Sequence, residues 1–276
     1  MANANAYLRM TGISKRFHGV QALRDVDFSA DLGRVTALVG ENGAGKSTLM
    51  KVLGGIHKRD SGEILLDGAP ARIDSPIDAM ASGISIIHQE LNVMPNLSIA
   101  ENIFVGRERK KGLFIDREYY VKRTKELLQS VDLNVDPGTL ARYLSTAQRQ
   151  MVEILRAVAY EAKIVVMDEP TSSLTAKETR ILFDIIRGLV ARGVGIVYIS
   201  HRMEEILELA DNVTVLRDGR LVGTLDRSEM TEEKIITMMV GRELKEIFAK
   251  TEAPIGQVVL EGKNLSVGYV KGVDFN

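Results

Sequence analysis

Residues 35–48 read VTALVGENGAGKST, and this stretch decides the fold. Val35 to Val39 form an apolar, largely β-branched run, the pattern of a buried strand. The nine residues that follow, Gly40, Glu41, Asn42, Gly43, Ala44, Gly45, Lys46, Ser47 and Thr48, contain G-x-x-x-x-G-K-[ST] at 40–47 and lead into a helical pattern. A strand, a Gly-rich turn and a helix in this order make a phosphate cradle. Backbone N–H groups of the loop and the helix N-terminus converge on the β- and γ-phosphates of a nucleotide. Gly43 and Gly45 let the backbone approach closely, Lys46 brings a positive charge, and Ser47 offers a hydroxyl to Mg²⁺.

Outward from this loop, four more apolar runs share the strand pattern: 84–87, 163–167, 194–199 and 212–216. Helical stretches are expected at 46–54, 117–131, 146–160, 176–191 and 202–210. Such alternation predicts an α/β fold with a mostly parallel sheet. Two Asp-Gly pairs, Asp67-Gly68 and Asp218-Gly219, sit between apolar runs and predict tight hairpins. The segment 98–160 carries no convincing strand and reads as a helical insertion.

The run at 164–169, IVVMDE, ends in two acids. Asp168 is placed to hold Mg²⁺ through water, and Glu169 to accept a proton from, or orient, an attacking water. Neighbouring strand residues face opposite ways, so both acids serve one site only if the strand stops between them. Pro170, which cannot continue a central strand, supports that stop. His201 follows the next run, at the carboxyl end where ligands bind in such sheets, within reach of the γ-phosphate or the water. Gln89 follows the strand at 84–87 and could bind Mg²⁺ or a water through its carbonyl. His18, His57 and His88 show no partner pattern and read as structural; Met238 and Met239 read as core packing.

Composition narrows the classes. The 276 residues are 45% hydrophobic and 26% charged, with 36 Lys+Arg against 37 Asp+Glu. That balance speaks against a dedicated nucleic-acid binder. With no cysteine, disulfide frameworks, thiolate metal sites and Cys nucleophiles are excluded. No leader pattern or run of 18 apolar residues occurs, so a role at a membrane is expected to need a partner. Residues 260–266 (LEGKNLS) align with 8–14 (LRMTGIS), and VDF at 273–275 repeats 26–28, with five fewer residues between the anchors. This spacing predicts the opening of a second, related domain.

Together these motifs, in this order, resemble the ATP-binding subunits of ABC transporters over residues 7 to about 245. The set comprises an aromatic at Phe17, the phosphate loop, Gln89, LSTAQ at 144–148, Asp168 and Glu169, SSLT at 172–175, and His201. The resemblance implies a P-loop NTPase with a RecA-like core, an antiparallel β subdomain and a helical subdomain near 92–160. It implies ATP and Mg²⁺ as cofactors and Phe17 stacked on adenine. It also implies that Gln89 senses Mg²⁺, and that Ser145, Thr146, Ala147 and Gln148 cap ATP bound to an opposite domain.

The family's LSGGQ has two glycines where Thr146 and Ala147 stand; if those positions need positive φ, the substitutions strain them. Residues 86–107 and 196–203 look like ATP-binding subunits of bacterial monosaccharide importers of the ribose/galactose/xylose group, which carry two fused ABC domains. The resemblance therefore implies a domain at 1–245, a linker at 246–257 and a second domain opening at 258. The implied partners are membrane permease subunits, a second ABC domain and, indirectly, an extracytoplasmic sugar-binding protein. The implied place is the cytoplasmic face of the inner membrane. Two other readings stand beside it: a soluble tandem ABC ATPase acting on ribosomes or DNA, and a regulatory module that binds nucleotide without turnover.

Overall fold

A computed structural model describes residues 6–88, 92–106, 110–111, 114–131, 133–241, 260–267 and 269–275. The chain divides into two units, Met1–Gly241 and Arg242–Asn276. Gln89 and the expected linker at 246–257 lie outside the described residues.

In chain order the first unit runs β1 (Leu8–Phe17), β2 (Val20–Ala30), β3 (Val35–Val39), α1 (Lys46–Leu53), β4 (Ser61–Leu66), β5 (Ala69–Pro70), α2 (Pro76–Ala81) and β6 (Ile84–Ile87). It continues with α3 (Ile99–Phe104), β7 (Lys110–Lys111), β8 (Phe114–Ile115), α4 (Arg117–Gln129), α5 (Thr146–Ala159), β9 (Ile164–Asp168) and α6 (Ala176–Ala191). The last elements are β10 (Gly195–Ile199), α7 (Met203–Leu209), β11 (Asn212–Arg217), β12 (Arg220–Asp226) and α8 (Glu232–Val240).

One sheet has the order β12-β11-β3-β10-β9-β6, parallel except at the β12 edge; the other, β2-β1-β4-β5, is antiparallel. The central strands β3 and β10 are buried along their whole length. Because side chains alternate across a sheet, they feed two cores. Val35, Ala37, Val39, Val165, Met167, Ile196 and Tyr198 face a cluster shared with α5, α6 and α7. Leu38, Ile164, Val166, Val197 and Ile199 face another, shared with α1 and the antiparallel sheet. Met238 and Met239 pack against the first of these, as the sequence predicts.

A third cluster forms the helical subdomain, from Ile99 and Phe104 of α3 and Tyr120, Leu127 and Leu128 of α4. Helix α5 joins it to the sheet. Its Met151, Ile154 and Ala157 belong to the sheet core, while Val152 and Leu155 belong to the subdomain core. The expectation of no strand within 98–160 is corrected, because β7 and β8 pair there as a two-residue hairpin. Strands this short carry too little alternation to register in sequence.

Both expected Asp-Gly hairpins form, with Asp67, Gly68, Asp218 and Gly219 all at positive φ. A third turn uses His18 and Gly19, also at positive φ, between β1 and β2. Among the described residues no helix is long and apolar enough to cross a membrane.

The second unit contains β13 (Gly262–Val267) and β14 (Val270–Phe275), paired antiparallel. Its internal geometry repeats that of the β1–β2 hairpin. Met10 pairs Phe28 and Ile13 pairs Val26 in the first; Gly262 pairs Phe275 and Leu265 pairs Val273 in the second. The irregularities repeat too. Gly12 has φ 63° and its N–H donates to Asp27 Oδ1 at 2.9 Å. Asn264 has φ 50° and donates to Asp274 Oδ1 at 2.6 Å. The Asp25 N–H donates to Ser14 Oγ, as the Gly272 N–H donates to Ser266 Oγ, and Asp25 and Gly272 both sit at positive φ.

Candidate nucleotide site

The loop 40–48 closes strand β3 and opens α1 in the conformation its glycines permit. Gly40, Gly43 and Gly45 have φ of 155°, 86° and 104°. They do different work. A Cβ on Gly45 would lie 2.9 Å from Ala22 O and from Leu23 Cδ2, and one on Gly40 would lie 2.3 Å from Leu216 O, so those two glycines permit close packing. A Cβ on Gly43 would meet nothing within 4 Å, so Gly43 faces the open side of the cradle.

The first turn of α1 has neither an acidic residue nor a side-chain cap, which leaves its N–H groups for an anion. The β11–β12 turn braces the loop from outside. The Gly219 N–H donates to Ala44 O at 3.1 Å, and Gly219 O accepts from the Arg24 N–H at 2.7 Å.

Five side chains named from sequence come together at the carboxyl ends of β3, β9 and β10. Lys46 Nζ donates to Gly40 O at 2.7 Å and Glu41 O at 3.0 Å. Ser47 Oγ donates to Asp168 Oδ2 at 3.3 Å. Strand β9 ends at Asp168, and Glu169 swings to φ 48°, its N–H donating to Ile199 O at 2.9 Å. The strand therefore stops between the two acids, and Glu169 Oε1 lies 3.1 Å from His201 Nδ1.

Burial pushes the Asp168 carboxyl up, the Ser47 hydrogen bond pulls it back, Glu169 raises it further, and His88 and Lys46 lower it. Burial also pushes the Lys46 ammonium down, with Glu169 and Asp168 opposing. Two acids thus share a half-buried space with one lysine, an arrangement that favours additional positive charge. A hydroxyl and a carboxylate are hard oxygen ligands suited to Mg²⁺, which takes one or two protein groups and completes its shell with phosphate and water.

His88, read from the sequence as structural, directly follows β6. It is half-buried, and burial pushes its imidazole down, with the Asp168 carboxylate opposing. His57 packs its ring against Phe17 at 4.9 Å, edge to face, and Lys15 Nζ lies 5.3 Å from the Phe17 centroid. Phe17 therefore sits in an aromatic and cationic corner at the end of β1.

Ser145 to Gln148 form the start of α5, separate from this group. Ser145 caps the helix: its Oγ accepts from the Gln148 N–H at 3.2 Å, and Gln148 Oε1 accepts from the Ser145 N–H at 2.9 Å. Thr146 and Ala147 are the first helical residues, and neither has positive φ. The expected strain is therefore absent, since a helix accepts Thr or Ala more readily than Gly.

A phosphate loop on a parallel-sheet strand, faced by a strand-end carboxylate, defines the class of P-loop nucleotide-binding folds. A family model described as "ABC transporter" matches residues 23–172, and the chain belongs to that family. A relative from Agrobacterium fabrum (strain C58), named for ribose/galactose/methyl galactoside import as an ATP-binding protein, is 52% identical over 99% of this chain and 54% of its own length. A similarly named protein of Rhizobium meliloti (strain 1021) is 50% identical over 98% of this chain and 53% of its own. The chain thus spans about half the length of the curated relatives it matches.

Among solved structures, a nucleotide-free ATP-binding cassette from an ABC transporter superposes with TM-score 0.75 at 25% identity, covering 86% of this chain and 99% of that one. A structure described as the ADP conformation of an ATP-binding cassette of an ABC transporter gives TM-score 0.74 at 26% identity, with the same coverage.

Proposed function

We propose that this chain binds ATP with Mg²⁺ and hydrolyses it, and that the turnover energises sugar import through a separate membrane permease. One observation carries the chemistry: Ser47–Asp168 and Glu169–His201 converge at the mouth of the loop 40–48. Lys46 and the loop N–H groups bind the β- and γ-phosphates. Ser47 and Asp168 are the groups that would hold Mg²⁺, which would neutralise charge on the phosphate oxygens. Gln89 is assigned to the same ion and its water. Glu169 takes the proton of the attacking water, and His201, hydrogen-bonded to Glu169, fixes the direction of that carboxylate and faces the γ-phosphate. Phe17 stacks on adenine.

The import reading rests on the relatives' names, and the doubled hairpin geometry supports a second ABC domain beginning near 258. Ser145 to Gln148 would then cap a nucleotide held by that domain. Charge balance speaks against nucleic acid as a partner. The place of work is the cytoplasmic face of the inner membrane, through permease subunits, with an extracytoplasmic sugar-binding protein acting indirectly.

Glu169→Gln is expected to keep ATP binding and abolish turnover, measured by nucleotide titration and phosphate release; undiminished hydrolysis removes Glu169 from the mechanism. Lys46→Ala is expected to cut ATP affinity strongly. For transport, the complete tagged protein pulled from its own cells should bring an integral-membrane permease. Recovery of ribosomes or DNA-bound proteins instead would overturn import and leave the ATPase reading intact.

A further inference from the structure

Next to the site, yet absent from the chemistry above, lies a buried carboxylate. Glu205, on α7, is 6% exposed. Its Oε2 accepts three hydroxyls: Thr171 Oγ1 at 3.0 Å, Tyr198 OH at 2.9 Å and Ser200 Oγ at 2.8 Å. Its Oε1 accepts from Arg202 Nη1 at 2.9 Å.

These donors come from the segments that carry the reacting groups. Thr171 follows Glu169 by two residues, and Ser200 immediately precedes His201. Tyr198 is a fully buried residue of β10, and its phenol is held in the donor form by burial and by Glu205 itself. The Ser200 hydroxyl also accepts from the Arg202 N–H at 3.0 Å, so it braces His201 on both sides.

We infer that Glu205 is a positioning residue for ATP hydrolysis: it ties the loop after β9 to the end of β10 and so sets the spacing of Glu169 and His201. The inference rests on the ATPase reading above. The requirement is for an acceptor at both oxygens. A carboxylate has four lone-pair positions and no proton to donate, and it meets four donors here. An amide of the same shape keeps one acceptor oxygen and turns an NH₂ toward either a guanidinium or three hydroxyls, so at least one partner must move. Glu169 sits at positive φ, a conformation that persists only where its surroundings hold it. Loosening Thr171 and Ser200 together frees both ends of the 3.1 Å Glu169–His201 contact. The phosphate loop, on β3 and α1, keeps its own braces.

The test is made on the complete protein with its permease, with Glu205→Gln, His201→Ala and the double variant, and with Ser200→Ala and Tyr198→Phe as milder lesions. For Glu205→Gln, kcat is expected to fall by about tenfold to a hundredfold, with KM and the dissociation constant of a fluorescent ATP analogue within about twofold of wild type. The loss in the double variant should not exceed that of His201→Ala alone, because Glu205 acts by setting the Glu169–His201 contact, which His201→Ala has already removed. If Glu205→Gln does not fold, Ser200→Ala and Tyr198→Phe should show the same pattern at smaller size. An unchanged kcat, a loss matched by weakened nucleotide binding, or losses that multiply with His201→Ala would overturn the positioning role. Full turnover in His201→Ala would overturn the site reading itself, and this inference with it.

Discussion

Within the loop, two glycines that look alike in sequence have separable duties. Gly45→Ala would put a methyl 2.9 Å from Ala22 O and force a left-handed Ala, so folding stability should drop by about 1–3 kcal/mol in a denaturant titration, along with ATP affinity. Gly43→Ala meets no neighbour. It should cost only the left-handed penalty, about 1 kcal/mol, with its larger effect on phosphate binding. Sequence identifies both as glycines of a phosphate loop, but the distinction needs Ala22 and Leu23, which arrive from β2. Glu169 gives the same lesson. Pro170 marks in the sequence that β9 stops, whereas the turn to φ 48° is fixed by a hydrogen bond to Ile199 O, from another strand. His201 was legible as a strand-end residue; the Glu205 network beneath it was not, because its donors come from β10 and the two loops and share no local pattern.

Helix α5 is the element that joins two cores, and its start and middle behave differently. Ser145→Ala removes one half of a capping box and should cost about 1 kcal/mol of stability. Further along, Glu153 is 2% exposed; its Oε1 accepts the Asn92 N–H at 2.7 Å, and Oε2 has no hydrogen-bond partner among the described residues. Burial, only partly offset by Asn92 and Arg156, raises this carboxyl above its ordinary 4.5. The folded state therefore holds the proton more tightly than the unfolded chain does. The destabilising effect of ionising it is absent below about 4.5, grows as pH rises through the folded value, and is constant above. The melting temperature of Glu153→Gln, relative to wild type, should accordingly climb as pH rises from 4.5 toward neutral. A difference independent of pH would count against the burial argument. The sequence leads one to expect a helix at 146–160; that it is wanted on two faces at once became visible only with α3 and α4 in place.

At the scale of the whole molecule, the first unit carries its own cores and both halves of the candidate site. A chain ending at Gly241 should bind ATP with the affinity of the longer one in a direct titration. The repeat at 260–275 was legible because its VDF anchor survives; the matching backbone irregularities, carried by Gly12 in one hairpin and Asn264 in the other, were hidden by the change of residue. The molecule also contains two Asp-Gly turns that a sequence cannot tell apart. Gly68 has open space around it, while Gly219 is wedged 2.6 Å, at its would-be Cβ, from Ala22 O and bonded to Ala44 of the phosphate loop. For anyone wishing to attach a fluorophore or splice in an epitope, the two are opposites. Extra residues between Asp67 and Gly68 have somewhere to go, whereas the same graft between Asp218 and Gly219 would pull on the loop meant to grip the phosphates.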